Sequence, residues 1–397
     1  MATHHITADV AVIGLGAMGS ATLYQLAKRG VRVVGIDRFH PPHRYGSSHG
    51  ETRITRQAIG EGDVYVPLVL RSHAIWDELE AETGEHLIDR CGFVAMASHD
   101  EAMVHHGKTG FVEATIAAAR RHDIAHEVLT AAEVSYRFPQ FIGLGGSERC
   151  YFEPGGGYVR PEMCISTQLR LAARAGARLL LNTKVVAVRA EHGGVRITTP
   201  TDTIVAGQAV IAAGAWIKPF LPAVATSHIG VYRQVAHWLP ITDPARFRGD
   251  APVFIWHHGP APDDQIYGFP PLDGANEIKC AGETYAHLTE PDADWSLVAA
   301  AEADDFVRIH VAPRIGGVAS SVARSSACLY TVVDDGDFLI DRIAHDSPIT
   351  LVSACSGHGF KHSAAIGEAV AASIVSAGNL DFFATFQLAR FASLSTQ

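Results

Sequence analysis

Apolar and polar positions along this chain repeat in two periods, and the switches between them outline its elements. Residues 9–13 (DVAVI) form a short apolar run that stops at Gly14, the pattern of a buried strand. From Ala17 to Arg29 the apolar positions fall at helical spacing, with Leu23, Leu26 and Ala27 on one face and Gly30 as terminator. A second run, 32–36 (RVVGI), ends at Asp37, so the N-terminus reads as a β-α-β unit. The stretch that follows, HPPHRYGSSHGETR, is too rich in Pro, Gly and Ser for regular structure. Further helices are predicted over 65–82, 111–122, 161–175, 295–310 and 361–377. Strands are predicted over 93–97, 178–181, 184–189, 195–198, 203–206, 209–213, 326–333, 338–341 and 349–354, the last followed by the loop CSGHGF. Between about 231 and 281 the chain reads mostly as strands: YRQVAHWL, VFIWH, QIYGF and EIKCAG. Dinucleotide-fold features at both ends of a strand-rich middle imply interleaved domains, with no repeat or clear linker.

Composition narrows the class. The 397 residues are 47% hydrophobic and 19% charged, enough apolar material for a large core in two domains or one two-lobed unit. The formal charge is −10 and no basic block stands out, which argues against nucleic acid or an anionic membrane surface as partner. No apolar run reaches the roughly 18 residues of a membrane span, and MATHHITADV lacks a secretion signal's basic and apolar regions. The cysteines at 91, 150, 164, 280, 328 and 355 are scattered with no C-x-x-C pair. Neither a metal nor a disulfide framework is expected, and a cytoplasmic location fits best.

The first candidate chemistry is Gly14-Leu-Gly16-Ala-Met-Gly19, a G-x-G-x-x-G between a strand and a helix, with Asp37 at the end of the next strand. Gly14 permits the tight turn, Gly16 lets backbone approach a pyrophosphate at the helix N-terminus, and Gly19 allows close helix–strand packing. Asp37 would accept hydrogen bonds from a ribose hydroxyl. The pattern does not separate FAD from NAD. Its place at the extreme N-terminus favours FAD, as does the strand AVIAAGAW about 200 residues later, which would bring Gly214 to the cofactor.

Four further segments resemble the monomeric sarcosine oxidase and N-methyltryptophan oxidase family of FAD-dependent amine oxidases. They are PPHRYGSSHGETRITRQAIGEGDVYVPLVLRS (41–72), FEPGGGYVRPE (152–162), SSACLYTVVDDGDFLID (325–341) and SGHGFKHSAAIGE (356–368). The resemblance implies an α/β fold of mixed α+β character. An FAD-binding, Rossmann-like lobe of the p-hydroxybenzoate hydroxylase type (1–84, 150–222 and 324–397) would interleave with a mixed β-sheet substrate lobe (85–149 and 223–323).

It also implies roles. Cys328 matches the cysteine that attaches the flavin through a thioether, a step that nearby positive charge favours by lowering the thiol pKa. Lys279 matches the lysine that assists dioxygen, where a fixed ammonium stabilises developing negative charge. Arg56 and Lys361 match the pair that holds the substrate carboxylate, a planar fork and a point charge. His49 and Arg53 match residues lining the flavin, and Tyr267 an active-site tyrosine. Gly357, Gly359 and Phe360 fall in the cofactor loop with His358, which either hydrogen-bonds the ring or holds the loop.

Three positions depart from the family pattern: Ser48-His49 in place of His-His, Glu283 in place of a histidine, and His362 in place of an aromatic after Lys361. The spacing from Lys279 to Glu283 also resembles fructosyl amino acid oxidases. In a strand, residues four apart face one side, while a turn after Gly282 would aim Glu283 at solvent. The expected activity is oxidation of a secondary amino acid to an imine, with dioxygen reduced to hydrogen peroxide. An Amadori-compound oxidase, a dehydrogenase passing electrons to a carrier and a non-catalytic flavoprotein are the alternatives. The expected partners are the amino acid and dioxygen, and the expected state is a monomer or small homo-oligomer.

Overall fold

The computed structural model describes residues 4–98, 104–106, 108–376 and 380–394. The apolar N-terminal run extends to His4–Ile13 and pairs in parallel with Val33–Ile36 on one side and Asp202–Ile211 on the other. Arg178–Leu180 adds beyond Val33–Ile36, and Ile349–Ser353 pairs in parallel with Asp202–Ile211. Register aligns Ile13 with Ile36 and Ile211, and Ile211 with Leu351. Four strands therefore release their chain at the same edge, the position at which open α/β sheets bind ligands. The antiparallel strands Ala187–Glu191, Gly194–Thr198 and Leu339–Arg342 complete this eight-stranded sheet.

The helix Ala17–Lys28 ends at Arg29, and Gly30 follows at φ +77. It packs on the helices Pro161–Arg174 and Ser363–Val375. A side chain at Gly367 would collide with the Ala21 backbone and methyl, so this glycine sets the approach of two helices. The helix at the C-terminal end starts two residues after its predicted start, behind the turn Phe360–His362, and its predicted last residue, 377, lies outside the described residues.

The second sheet also has eight strands, in the order Arg324–Val333, Ile229–Pro240, Glu277–Ala281, Gln265–Phe269, Val253–His257, Phe93–Ala97, Arg149–Glu153 and Glu127–Leu129. All neighbours are antiparallel except Val253–His257 with Phe93–Ala97. All but the first residue of Arg149–Glu153, and all of Arg324–Val333, fall within stretches assigned above to the first lobe, and both strands hydrogen-bond into this second sheet. The first 13 residues of the loop HPPHRYGSSHGETR are irregular, and Arg53–Thr55 then pairs with Gly157–Val159, which also pairs with Ile88–Asp89.

The helix predicted over 295–310 is shorter. It spans Ala300–Phe306 and passes into a wider turn at Val307–Val311. The Arg233 guanidinium takes the carbonyls of Trp295 and Leu297 at 2.8 and 2.7 Å, removing them from helical bonding. The strand expected at 184–189 begins later, at Ala187. No helix among the described residues is long and apolar enough to cross a membrane.

Candidate active site

A cavity of about 850 Å³ opens at the shared strand edge, bordered by Gly14, Gly16, Asp37, Gly214, Gly357, Gly359 and Phe360. Gly14 sits at φ +85, and a side chain there would collide with the Ala212 carbonyl. One at Gly19 would collide with the Gly14 carbonyl, so the turn closes only with glycine at both positions. Beside Gly16 there is open space, and the helix behind it carries no acidic residue in its first turn. Asp37 accepts the Leu15 and Phe39 backbone N–H groups at 2.7 Å each, and burial still pushes its carboxyl up. Gly214 has φ +51 beside the cavity, and a side chain at Gly359 would strike the Ala354 carbonyl. These residues fit a dinucleotide cofactor: an open cradle, an uncompensated helix N-terminus and a carboxylate just past the end of the neighbouring strand.

A second cavity of about 70 Å³ adjoins the first and shares Arg53, Tyr330, Gly357 and Phe360 with it. It gathers Arg56, Tyr267, Lys279, Glu283, His358 and Lys361, which the sequence scatters over some 300 positions. A third, of about 10 Å³, brings His49, Lys279 and Cys328 together. Arg53 and Tyr330 border all three.

Lys279 arrives on the strand Glu277–Ala281, paired with Trp238 and Phe269. Its ammonium donates to the Gly50 carbonyl at 2.7 Å, the Thr52 carbonyl at 3.1 Å and Thr52 Oγ1 at 3.2 Å. Burial, reinforced by the Arg53 charge, pulls its pKa down to about 7. The loop that caps it is held by Glu162, which accepts the Gly50 and Glu51 N–H groups at 2.6 and 3.2 Å. Burial, with Arg53 and Lys279 beside it, takes His49 down to about 3, and its Nε2 is buried without a protein partner.

Cys328 has the positive neighbours expected, Arg53 and Lys279, but the net effect is the reverse of the expectation: burial outweighs them and raises the thiol pKa. Tyr267 faces Tyr330 across 3.5 Å between hydroxyls, and burial lifts its pKa to about 12. His358 donates from Nε2 to the Gly336 carbonyl at 3.1 Å and stacks on Phe338, so it holds the loop; its Nδ1 is buried without a partner and left for a ligand. Burial, then the His106 charge, keeps it well below the ordinary histidine range.

The anion expected between Arg56 and Lys361 is present in the protein itself. Arg56 donates to both oxygens of Glu61 at 2.7 and 2.8 Å, and to the Ala58 carbonyl at 2.7 Å, all buried. Burial pushes Glu61 up, but the Arg56 charge and a His106 hydrogen bond hold it well below the carboxylate range. Lys361 donates to the His358 carbonyl at 2.7 Å, and burial brings it down to about 7. Glu283 points inward, not to solvent: it is 6% exposed, two residues past Ala281 on the Lys279 face. It accepts Tyr285 Oη at 2.6 Å and pairs with His106 Nε2 at 2.9 Å. Burial pushes Glu283 up, and His106 with Tyr285 outweighs it. Sequence reasoning missed Glu61, His106 and Tyr330. Glu61 lay five residues from Arg56, at contact spacing, whereas nothing local marks His106.

Comparison with known proteins covers nearly the whole chain. The model of the family described as FAD dependent oxidoreductase (DAO) matches residues 9–373. The chain is 33% identical over 394 residues to N-methyl-L-tryptophan oxidase from Yersinia pestis (strain Pestoides F), covering 96% of this chain and 99% of that one. The counterpart in Yersinia pseudotuberculosis serotype O:1b (strain IP 31758) matches to the same extent. Among solved structures, NikD, titled an unusual amino acid oxidase essential for nikkomycin biosynthesis, superposes in its Tyr258Phe form with TM-score 0.81 at 23% identity, covering 94% and 95% of the two chains. L-proline dehydrogenase from P. horikoshii superposes with TM-score 0.78 at 21% identity over 98% of each, a likeness of fold. With a family match over most of its length and a full-length relative at this identity, the chain belongs to the FAD dependent oxidoreductase family.

Proposed function

We propose that this enzyme oxidises a secondary amino acid, sarcosine or another N-substituted amino acid, at a carbon–nitrogen bond to an imine and returns the electrons to dioxygen as hydrogen peroxide. The observation that carries this reading is the small cavity beside the cofactor cavity, where Arg56, Lys361 and the paired strands carrying Tyr267 and Lys279 meet from three distant parts of the chain. The full-length likeness to relatives that bear the name N-methyl-L-tryptophan oxidase supports the N-substituted class.

The chemistry supplied by a bound FAD is acceptance of two electrons and their transfer to dioxygen. Gly14, Gly16, Gly19, Asp37 and Gly214 would hold the dinucleotide, His49, Arg53, Gly357, Gly359 and Phe360 would line its site, and Cys328 would attach it through a thioether. Lys361 spends one ammonium hydrogen on the His358 carbonyl, which leaves two for a substrate carboxylate. Arg56 adds long-range positive charge but is already engaged by Glu61, so it positions more than it grips. Lys279 supplies the fixed charge for dioxygen, and burial excludes water around it. The two sheets correspond to a cofactor lobe and a substrate lobe of a cytoplasmic enzyme.

One observation favours a second substrate: the inward carboxylate of Glu283 suits a sugar hydroxyl, as in a fructosyl amino acid. A peroxide-coupled panel of sarcosine, larger N-methyl amino acids, pipecolate, proline and fructosyl amino acids tests both. Turnover of an N-substituted amino acid with peroxide release is expected. Activity confined to fructosyl compounds would establish the second reading, and no peroxide from any member would remove both.

A further inference from the structure

We propose that His106 is a specificity-determining residue: its positive charge, set between Glu61 and Glu283, makes the small pocket accept an amino acid carboxylate. The inference rests on the reading that a carboxylated substrate binds there. His106 Nδ1 lies 3.2 Å from Glu61 Oε1 and its Nε2 lies 2.9 Å from Glu283 Oε1. Ionised carboxylates only accept hydrogen bonds, so both ring nitrogens must carry a proton and the ring is an imidazolium.

The position is built. His106 sits between the short strands Val104–His105 and Lys108–Thr109 with a left-handed backbone, φ +47, uncommon for a residue other than glycine. Its carbonyl lies against Gly336, where any side chain would collide, and its Nε2 comes within 2.6 Å of where a Gly357 side chain would begin. Gly357 also borders the cofactor cavity, so the imidazolium packs directly on the loop joining the two cavities. Its own side chain is 5% exposed.

The groups facing it set its charge and depend on it. Glu61 and Glu283 contact it, and Tyr285 reaches it through Glu283. His358 lies 4.8 Å away ring to ring and stays neutral, and burial keeps His257 at about 4. Arg56 and Lys361 act through Glu61. Asp337 is turned to Tyr65 and Lys108. Burial pulls His106 down, but Glu283 and then Glu61 raise it to about 9. With His106 charged, five cations border the pocket, Arg53, Arg56, Lys279, Lys361 and His106, against the two carboxylates Glu61 and Glu283. Without that charge Glu283 loses the cation it contacts and Glu61 one of its two, so an incoming carboxylate beside them meets two poorly compensated negative charges.

The test is a titration of the purified holoenzyme with pyrrole-2-carboxylate, a carboxylate without an oxidisable C–N bond, followed by the flavin's visible spectrum. His106→Gln should weaken binding at pH 7.5 by at least about tenfold, and His106→Gln with Glu283→Gln should restore it to within about threefold of wild type. Wild-type affinity should fall in two steps as pH rises, through about 7 with Lys361 and through about 9 with His106, and His106→Gln should lose only the second. Should His106→Gln not fold, Glu283→Gln alone should bind the probe more tightly. Unchanged affinity in His106→Gln, or weaker binding in Glu283→Gln, overturns the inference and leaves the carboxylate reading standing. Absence of binding to wild type overturns that reading as well.

Discussion

Replacing Lys279 by Met should slow flavin reoxidation while leaving flavin reduction nearly intact. The side chain is 4% exposed, its ammonium is fixed by three oxygen acceptors, and it is the lysine that borders the smallest cavity beside Cys328. A preorganised charge of this kind contributes roughly 3–4 kcal/mol to a step that develops negative charge, a factor of about a hundred or more. The pKa near 7 adds a second signature. Protonated lysine is then the main form at pH 6 and about 0.01 of the population at pH 9, so wild-type reoxidation should drop by more than about tenfold over that range and level off near the Lys279→Met rate. Lys279→Met should be slow and flat, and Lys279→Arg, charged throughout, should be flat and faster than Met. Stopped-flow measurement of both half-reactions across this pH range decides it. A flat wild-type profile, or equal losses in reduction and reoxidation on Lys279→Met, would refute the oxygen role.

Wild-type flavin should remain with the protein after acid or detergent denaturation, and Cys328→Ser should release it; release from wild type removes the covalent attachment. Arg56→Met should destabilise the fold by about 3–5 kcal/mol, because it takes from the buried Glu61 carboxylate its two-donor partner and leaves it His106 at 3.2 Å, and adding Glu61→Gln should recover most of that. Urea unfolding measures both, and a single-mutant cost under about 1 kcal/mol contradicts the pairing. Glu61 is held well below its ordinary pKa. Its contribution is therefore full above the unfolded value and lost as pH falls through the folded one, so Glu61→Gln should flatten the acid side of the stability profile.

Local patterns carried the nucleotide end of the molecule. The glycine turn, the helix behind it and Asp37 lie within 25 residues, and each needs only its neighbours to be legible. The helix Ala131–Arg137 was equally legible: Thr130 and Glu133 form a reciprocal capping box, the spelling T-x-x-E, yet it was passed over. Arg149–Glu153 hides for a different reason. Buried from Cys150 to Glu153, it shows no alternation, and its terminal carboxylate is buried only because it accepts the Gln57 and Ala58 N–H groups. Glu283 lies beyond the end of its strand at Ala281, so the period of two left both directions open, and the inward course of the chain there decides between them. His106 was invisible because its partners lie 45 and 177 positions away, and the second histidine of a pair in a short irregular stretch has no periodicity to announce it. The stretch at 295–299 failed through tertiary override, its carbonyls claimed by Arg233.

The most direct test of the central claim is anaerobic mixing of the purified holoenzyme with N-substituted amino acids, followed by admission of air. The account predicts that one of them bleaches the flavin at a rate consistent with turnover, and that air restores the colour with one peroxide and one imine-derived carbonyl per amine consumed. A flavin that no N-substituted amino acid bleaches, or one that is reduced but returns to colour in air without peroxide, would contradict it.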